Sequence, residues 1–275
     1  EKLNQLKTLE PSNTAIDKKL AEIYYLKNDF SKAADAYSRF AMGPTANEED
    51  LVKYAFALFL NHDFAKSLEV ANMGLKKNPR HAAFNRLAMY NNTDLKRFEE
   101  ALKAADVFFN ECDKADYSYL DYMYYGHLLE ELKKYDEAVG QYEKAVELDP
   151  TKTDLYKNIS SVYEQKNDYK KAIGAYHKYY SSLEKEKQTP DLQFQLGRLY
   201  YGAGTQPDSL TINVEERKQA LMSADSVFQV ISEAAPDSYL GNFWRARANS
   251  ALDPETTQGL AKPFYEEVAA LLESK

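Results

Sequence analysis

Residues 119–152 read YLDYMYYGHLLEELKKYDEAVGQYEKAVELDPTK, and residues 153–186 read TDLYKNISSVYEQKNDYKKAIGAYHKYYSSLEKE. Laid one beneath the other, Tyr122 falls on Tyr156, Tyr135 on Tyr169, Ala138 on Ala172 and Tyr142 on Tyr176. The same residue types return at a fixed period of 34 residues, the mark of a stacked repeat in which each unit buries its apolar side against the next.

The pattern extends in both directions. Counting back from Phe30 places a unit at 14–47, with Leu20, Ala21, Tyr24, Phe30, Ala33, Tyr37 and Phe40 inside. Residues 48–81 follow without a gap and carry Tyr54, Ala55, Leu58, Phe64, Ser67, Ala71, Gly74 and Pro79. A weaker unit at 82–115 keeps Phe98, Ala101, Ala105 and Phe108, and three extra residues then precede Tyr119. Small residues such as Ala21, Ala33, Ala55, Ala101, Gly126, Ala138 and Ala172 are expected where two helices of a hairpin approach closely, with large partners such as Tyr125, Leu129 and Tyr142 filling the space between units. Pro79 and Pro150 stop the second helix of their units.

This pattern resembles the tetratricopeptide repeat, a helix–turn–helix unit with a large residue, then Leu-Gly, Tyr, Ala, an aromatic and Pro. Residues 119–152 carry it as Tyr122, Tyr125-Gly126, Leu129, Ala138, Tyr142 and Pro150, and residues 190–201 return to it with Leu196-Gly197 and Tyr200. The resemblance implies an all-α fold, an α-solenoid built as a right-handed superhelix of about seven helix hairpins. Residues 1–13 form an N-terminal helix, either a partial repeat or a frayed end. Five units span 14–186 (14–47, 48–81, 82–115, 119–152 and 153–186). Two further hairpins occupy 187–275, the first with an inserted loop at about 204–218, read as tolerated decoration or as a rim contact. Asn213 and Glu216 read as a capping box that opens the helix after this loop, and Pro236 closes it. The last helix has Pro263 in its first turn, and its polar residues, Ser274 and Lys275 among them, suit a solvated cap.

The segment FWRARANSALDP…GLAKPFYE is similar to the closing unit of tetratricopeptide-repeat proteins common in Bacteroidetes. That resemblance implies an exported, periplasmic protein, with the cytoplasm as the alternative. The chain begins Glu1-Lys2 without an initiator Met, so removal of an upstream segment is expected.

In the family the first helix of each unit lines a concave groove, with contacts from about the second, fifth, ninth and twelfth positions. Carried over, the middle units present Leu120, Met123, His127 and Glu130, then Asp154, Lys157, Ser161 and Glu164. The late units present Asp191, Phe194, Arg198 and Tyr201, then Leu240, Phe243, Arg247 and Ser250. The candidate partner-binding residues are Met123, His127, Lys157, Phe194, Arg198, Tyr201, Phe243 and Arg247. The late members have the aromatic-and-Arg composition of interface hot spots. The family's grip on a chaperone's C-terminal carboxylate is not expected here, because Glu22 stands where that clamp has Asn, four residues after Lys18.

Composition narrows the function classes. The net charge of −8 argues against a general nucleic-acid binder. Cys112 is the only cysteine, so an internal disulfide or a cysteine-based zinc site is impossible; it reads as a helix-end residue. No apolar run reaches membrane-spanning length. The four histidines form no HExxH pair, and Gly202-Ala203-Gly204 lacks the strand and the Lys-Ser/Thr of a phosphate loop. Acid pairs such as Glu130-Glu131 read as solvated helix faces. The expectation is therefore a non-enzymatic scaffold, without cofactor or metal, that binds a peptide or protein segment in its groove. The alternative is a small-molecule or glycan-sensing module using the aromatic residues of the late units, Phe194, Tyr201 and Trp244.

Overall fold

The computed structural model describes residues 2–44, 46–112, 116–207 and 212–273, apart from the side chain of Asn4. All regular elements among them are helical. The chain divides into two compact units, Glu1–Lys134 and Tyr135–Lys275. The boundary falls inside the repeat at 119–152.

The first unit holds α1 (Lys2–Leu9), α2 (Thr14–Leu26), α3 (Phe30–Ser38), α4 (Glu48–Leu60), α5 (Phe64–Lys77), α6 (Ala82–Asp94), α7 (Phe98–Asp106) and α8 (Tyr119–Glu131). The second holds α9 (Tyr135–Leu148), α10 (Leu155–Gln165), α11 (Tyr169–Ser182), α12 (Pro190–Thr205), α13 (Val214–Ala234), α14 (Leu240–Leu252) and α15 (Lys262–Glu273). Within each unit the helices pack as consecutive hairpins. The second helix of a hairpin also packs on the first helix of the next, as α3 does on α4, α5 on α6, α11 on α12 and α13 on α14. First helices touch one another as well: α4 meets α6, α6 meets α8, and α12 meets α14.

One turn explains the period. Asn28, His62, Lys96, Lys133 and Asn167 all sit in the left-handed region, with φ between 58° and 61°. The first three are evenly spaced, and Lys133 comes three residues late, matching the three extra residues before Tyr119. The N–H after each left-handed residue donates to a carbonyl five residues back, as from Asp29 to Tyr24 O and from Asp168 to Tyr163 O, both 2.9 Å. This left-handed reversal satisfies carbonyls that the ending helix leaves open. In three units the next residue is Asp29, Asp63 or Asp168, whose carboxylate accepts from the third N–H of the new helix. Phe30, Phe64, Phe98, Tyr135 and Tyr169 then open the second helices.

Small residues set the helix spacing. Ala21, Ala33, Ala55, Ala101, Ala138 and Ala172 are fully enclosed. The contact is used in two mirrored ways. Ser67 on a second helix donates its hydroxyl to Ala55 O on the first, 2.8 Å away; Ser160 on a first helix donates to Ala172 O on the second, also at 2.8 Å. Only a side chain as short as Ser brings a hydroxyl to the neighbouring backbone at this separation. Where α12 meets α13 and α13 meets α14, glycine is needed outright. A Cβ on Gly197 would come within 2.7 Å of the Phe228 ring, and one on Gly241 within 2.6 Å of the backbone nitrogen of Ser232.

One sequence expectation changes in detail. Much of the stretch expected as a loop at 204–218 is helix. Gly204 and Thr205 end α12, and Val214–Lys218 open α13, so the non-helical link is residues 206–213, of which 208–211 lie outside the described residues. The extra residues lengthen both helices, because Ala203, Ala220 and Leu221 continue the apolar seam and Arg217 donates to Gln206 O at 2.9 Å. Asn213 and Glu216 do form the capping box. At the end of the third unit, α7 runs into a π turn, Val107–Glu111, capped by Cys112. Residues 113–115, which close the expected third repeat, and Ser274 and Lys275 of the last helix lie outside the described residues.

Candidate functional site: the exposed side of the first helices

In the first unit the charges on the first helices are largely consumed by neighbouring helices. Asp17 on α2 takes Lys7 of α1 and Arg39 beyond α3. Asp50, in the capping box of α4, takes Lys18 of α2 at 2.8 Å. Asp121 at the start of α8 has no exposed surface; it accepts from Arg86 Nε (2.7 Å) and Nη2 (3.0 Å), from Tyr90 Oη (2.7 Å) and from Ser118 N (2.7 Å). Burial, together with the Asp121 carboxylate, pushes the Tyr90 hydroxyl well above the ordinary tyrosine value and keeps it a donor. The rings of Phe59 (α4), Tyr90 (α6) and Tyr124 (α8) form a ladder, with Tyr90 and Tyr124 stacked at 4.0 Å. The Tyr124 hydroxyl donates to Asp94 at 3.1 Å. Burial raises the Asp94 carboxyl, against the opposing pull of that bond and of His127 and His62. Met123 is half-buried on α8 and His127 is exposed.

The second unit is built differently. Phe194 and Tyr201 on α12, and Phe243 and Arg247 on α14, converge on Trp244. The rings of Phe194, Tyr201 and Phe243 stand nearly perpendicular to the indole, at 87°, 87° and 88°, with centroids 5.4–6.4 Å away. Phe228 of α13 stacks on it at 5.4 Å. The Arg247 guanidinium lies over Trp244 at 4.5 Å and over Tyr201 at 5.0 Å. Edge-to-face packing and a cation over the ring follow from the negative face and positive edge of an aromatic system.

Of the eight candidate residues, four meet in this cluster: Phe194, Tyr201, Phe243 and Arg247. Arg198 turns away, donating to Gln195 Oε1 at 3.1 Å and facing Glu164 at 3.7 Å. Lys157 is exposed on α10. Met123 and His127 belong to the first unit. The centre of the cluster is Trp244, which position-counting passed over because it lies one residue from Phe243; as the single tryptophan of the chain, it was the available signal. Arg245, on the same helix, pairs with Asp225 at 3.0 Å and covers the Phe264 ring at 4.2 Å.

Beyond α14, Asp253 holds the loop that joins the last two helices. Its carboxylate accepts from the backbone N–H of Thr257 (3.0 Å), Gln258 (2.9 Å) and Gly259 (2.7 Å). Burial pushes this carboxyl up, but the bonds from Gln258, Gly259 and Thr257 outweigh it and hold it below the usual range. The loop includes left-handed Thr256 and Gly259.

Among the described residues no group of three or more His, Cys, Asp or Glu is placed to hold a metal ion. None of their helices is long and apolar enough to cross a membrane.

A stacked helix-hairpin repeat defines a class of interaction modules. Residues 120–152 match the family model for the tetratricopeptide repeat, and the left-handed reversal of that hairpin recurs in the hairpins on either side. No curated protein sequence matches the chain. Among solved structures it is similar to the C-terminal part of a TPR repeat-containing protein from Cytophaga hutchinsonii, at 29% identity and a TM-score of 0.60, with 81% of this chain and 80% of that one aligned. That organism belongs to the Bacteroidetes. MamA from Desulfovibrio magneticus RS-1 shares the fold alone, at 18% identity and a TM-score of 0.55 over 64% of this chain and 97% of that one. Another MamA structure aligns at 20% identity and a TM-score of 0.53, over 63% and 93%.

Proposed function

We propose that this chain is a non-enzymatic scaffold that holds a peptide or protein segment against the exposed side of its first helices, with α12 and α14 as the principal contact. The observation that carries this is the convergence of Phe194, Tyr201, Phe243 and Arg247 around Trp244. Half-buried aromatic rings with a guanidinium among them have the composition that dominates protein interfaces. Packed helices hold the rings in place before a ligand arrives, so little ordering entropy remains on the protein side. Lys157 and Arg198 are assigned to the same function as peripheral contacts, and Met123 and His127 as contacts of the first unit by itself. The net charge of −8 fits a protein partner better than a nucleic acid. A glycan platform needs a free ring face. Trp244, stacked on Phe228 and covered by Arg247, is ill suited to that role. We place the protein outside the cytoplasm because its closing segment resembles that of Bacteroidetes repeat proteins; fractionation of the source cells tests this.

The test is selection of displayed 12-residue peptides on the whole chain and on the double variant Arg198→Glu/Arg247→Glu. Enrichment on the wild type that is lost on a folded double variant supports the reading. Equal enrichment on both removes this site, and no enrichment on either removes peptide binding altogether.

A further inference from the structure

The eight arginines of this chain separate by burial. Arg39, Arg80, Arg97 and Arg198 are exposed, whereas Arg86, Arg217, Arg245 and Arg247 are half-buried. A half-buried guanidinium has lost part of its hydration and is ordinarily compensated by oxygen acceptors. Arg86 is compensated by Asp121, Arg217 by Gln206 O and Arg245 by Asp225. Arg247 is the exception. Its guanidinium lies against the rings of Tyr201 and Trp244, and no described residue gives it a hydrogen bond or an ion pair. The rings fix the plane of the guanidinium without using its donors. It is therefore a preoriented fork with its N–H groups unspent, on the side of α14 where Phe243 also lies.

We infer that Arg247 receives one side-chain carboxylate, from an Asp or Glu inside a bound peptide segment, with an adjoining apolar residue of that segment seated against Phe243 and Tyr201. This deepens the function proposed above and rests on it. A carboxylate matches the planar fork in a bidentate manner that an amide or hydroxyl does not reproduce. Of the other cations assigned to this function, Arg198 already faces Glu164 and Lys157 is exposed on α10, so Arg247 is the one half-buried cation of the site without an acid. The immediate surroundings are rings, which suit an apolar neighbour. A free chain end is disfavoured, because it needs further donors to its last peptide group.

The probes are synthetic 12-residue peptides, acetylated and amidated at their ends, each with a central Asp-Phe, Asp-Leu, Glu-Phe or Glu-Leu pair in varied flanks. Matched sets carry Asn or Gln in place of the acid, and a third set has a free C-terminus. Binding to the full chain is read by fluorescence anisotropy. Acid peptides are expected to bind about tenfold or more tightly than their amide partners. Arg247→Gln should erase that difference and Arg198→Gln should leave it; circular dichroism checks each fold. Should Arg247→Gln fail to fold, Arg247→Lys keeps the charge without the fork and is expected to reduce the preference to a few-fold. Binding without acid preference, or a preference that survives in Arg247→Gln, overturns this inference and leaves the scaffold reading in place. Binding by the free-C-terminus set alone overturns it in favour of a terminal carboxylate. If no peptide in any set binds, the scaffold reading falls with it.

Discussion

Both units join first helices through rings, Phe59, Tyr90 and Tyr124 in the first and Phe194, Tyr201 and Trp244 in the second, but they use the accompanying cations differently. In the first, α1–α2, α2–α4 and α6–α8 are each linked by an ion pair whose acid is buried: Lys7–Asp17, Lys18–Asp50 and Arg86–Asp121. In the second, α12 and α14 are linked by rings, and the cation above them is left without an acid. The same repeat can therefore spend its polar side chains on itself or hold one back. Ion pairs fix which helix lies beside which, but a satisfied pair offers little to a ligand. A ring cluster supplies the cohesion through area and leaves the guanidinium's donors free. The contrast suggests that recognition belongs to the second unit and internal order to the first.

The sharpest way to break this contrast is to remove one half of a buried pair. Arg86→Leu leaves Asp121 enclosed with only Tyr90 and Ser118 as donors, and should cost the first unit about 3–5 kcal/mol. Hydrogen exchange on α6 and α8 reads the loss, and amides of α12–α15 should be unaffected. Trp244→Ala is the corresponding change in the second unit. It deletes the hub of five ring and cation contacts and should cost about 3 kcal/mol, since the indole is half-buried. If Trp244→Ala were silent in denaturant unfolding, the rings would be a surface feature and not the link between α12 and α14.

A smaller change tests how closely α13 and α14 approach. Gly241→Ala drives a methyl into the backbone of Ser232 and should destabilise by about 2 kcal/mol. Gly174→Ala, on the exposed side of α11 with nothing within 4 Å, should instead stabilise by up to about 1 kcal/mol. The opposite signs separate packing from propensity. The loop at Asp253 adds a pH arm. Its folded-state carboxyl lies below the unfolded value, so its contribution is present above that value and is lost as pH falls through the folded one. Asp253→Asn should lower the melting temperature at neutral pH, and the gap to the wild type should close below about pH 4.

The repeat was legible because its small and aromatic residues recur in phase, and each has a physical role that no other type fills as well. Ala33, Ala55, Ala101, Ala138 and Ala172, at the crowded helix crossings, are fully buried. The link between α12 and α13 was less legible. The inserted loop is expected from about Gly204, but Ala203 is buried, and a Cβ on Gly202 or Gly204 would come within 2.4 Å of Tyr169 or 2.3 Å of Leu221, so these glycines serve close packing at the end of a helix. Propensity gave way to tertiary contact there. Within the candidate site, helical position brought out Phe194, Tyr201, Phe243 and Arg247, because first-helix positions follow the period. Arg198 has the same positional credentials, yet it turns towards Glu164. Which of several partners a long side chain chooses depends on neighbours about thirty residues away. Position-counting along one helix does not see them.

The gentlest test concerns the turn that sets the period. Five units place a residue with a side chain at φ near 60°, where Cβ crowds the following carbonyl at a cost of about 1 kcal/mol. Asn28 and Asn167 tolerate this region better than Lys96 and Lys133, since a short polar side chain bonds locally there. Lys96→Gly and Asn28→Gly are therefore expected to stabilise unequally in chemical denaturation, by about 1 kcal/mol for the lysine and by a few tenths for the asparagine. Both lie in the first unit, so the comparison is free of differences between units. Equal gains would mean that both side chains carry the same strain in the folded turn, so local bonding by asparagine does not ease it; the extra freedom of glycine in the unfolded chain works against any gain. A loss at Lys96 would mean that its aliphatic stem packs in a way that outweighs the backbone cost. The second outcome would change what keeps the period at 34, because a position that glycine does not improve is held by side-chain contacts and not by the geometry of the reversal.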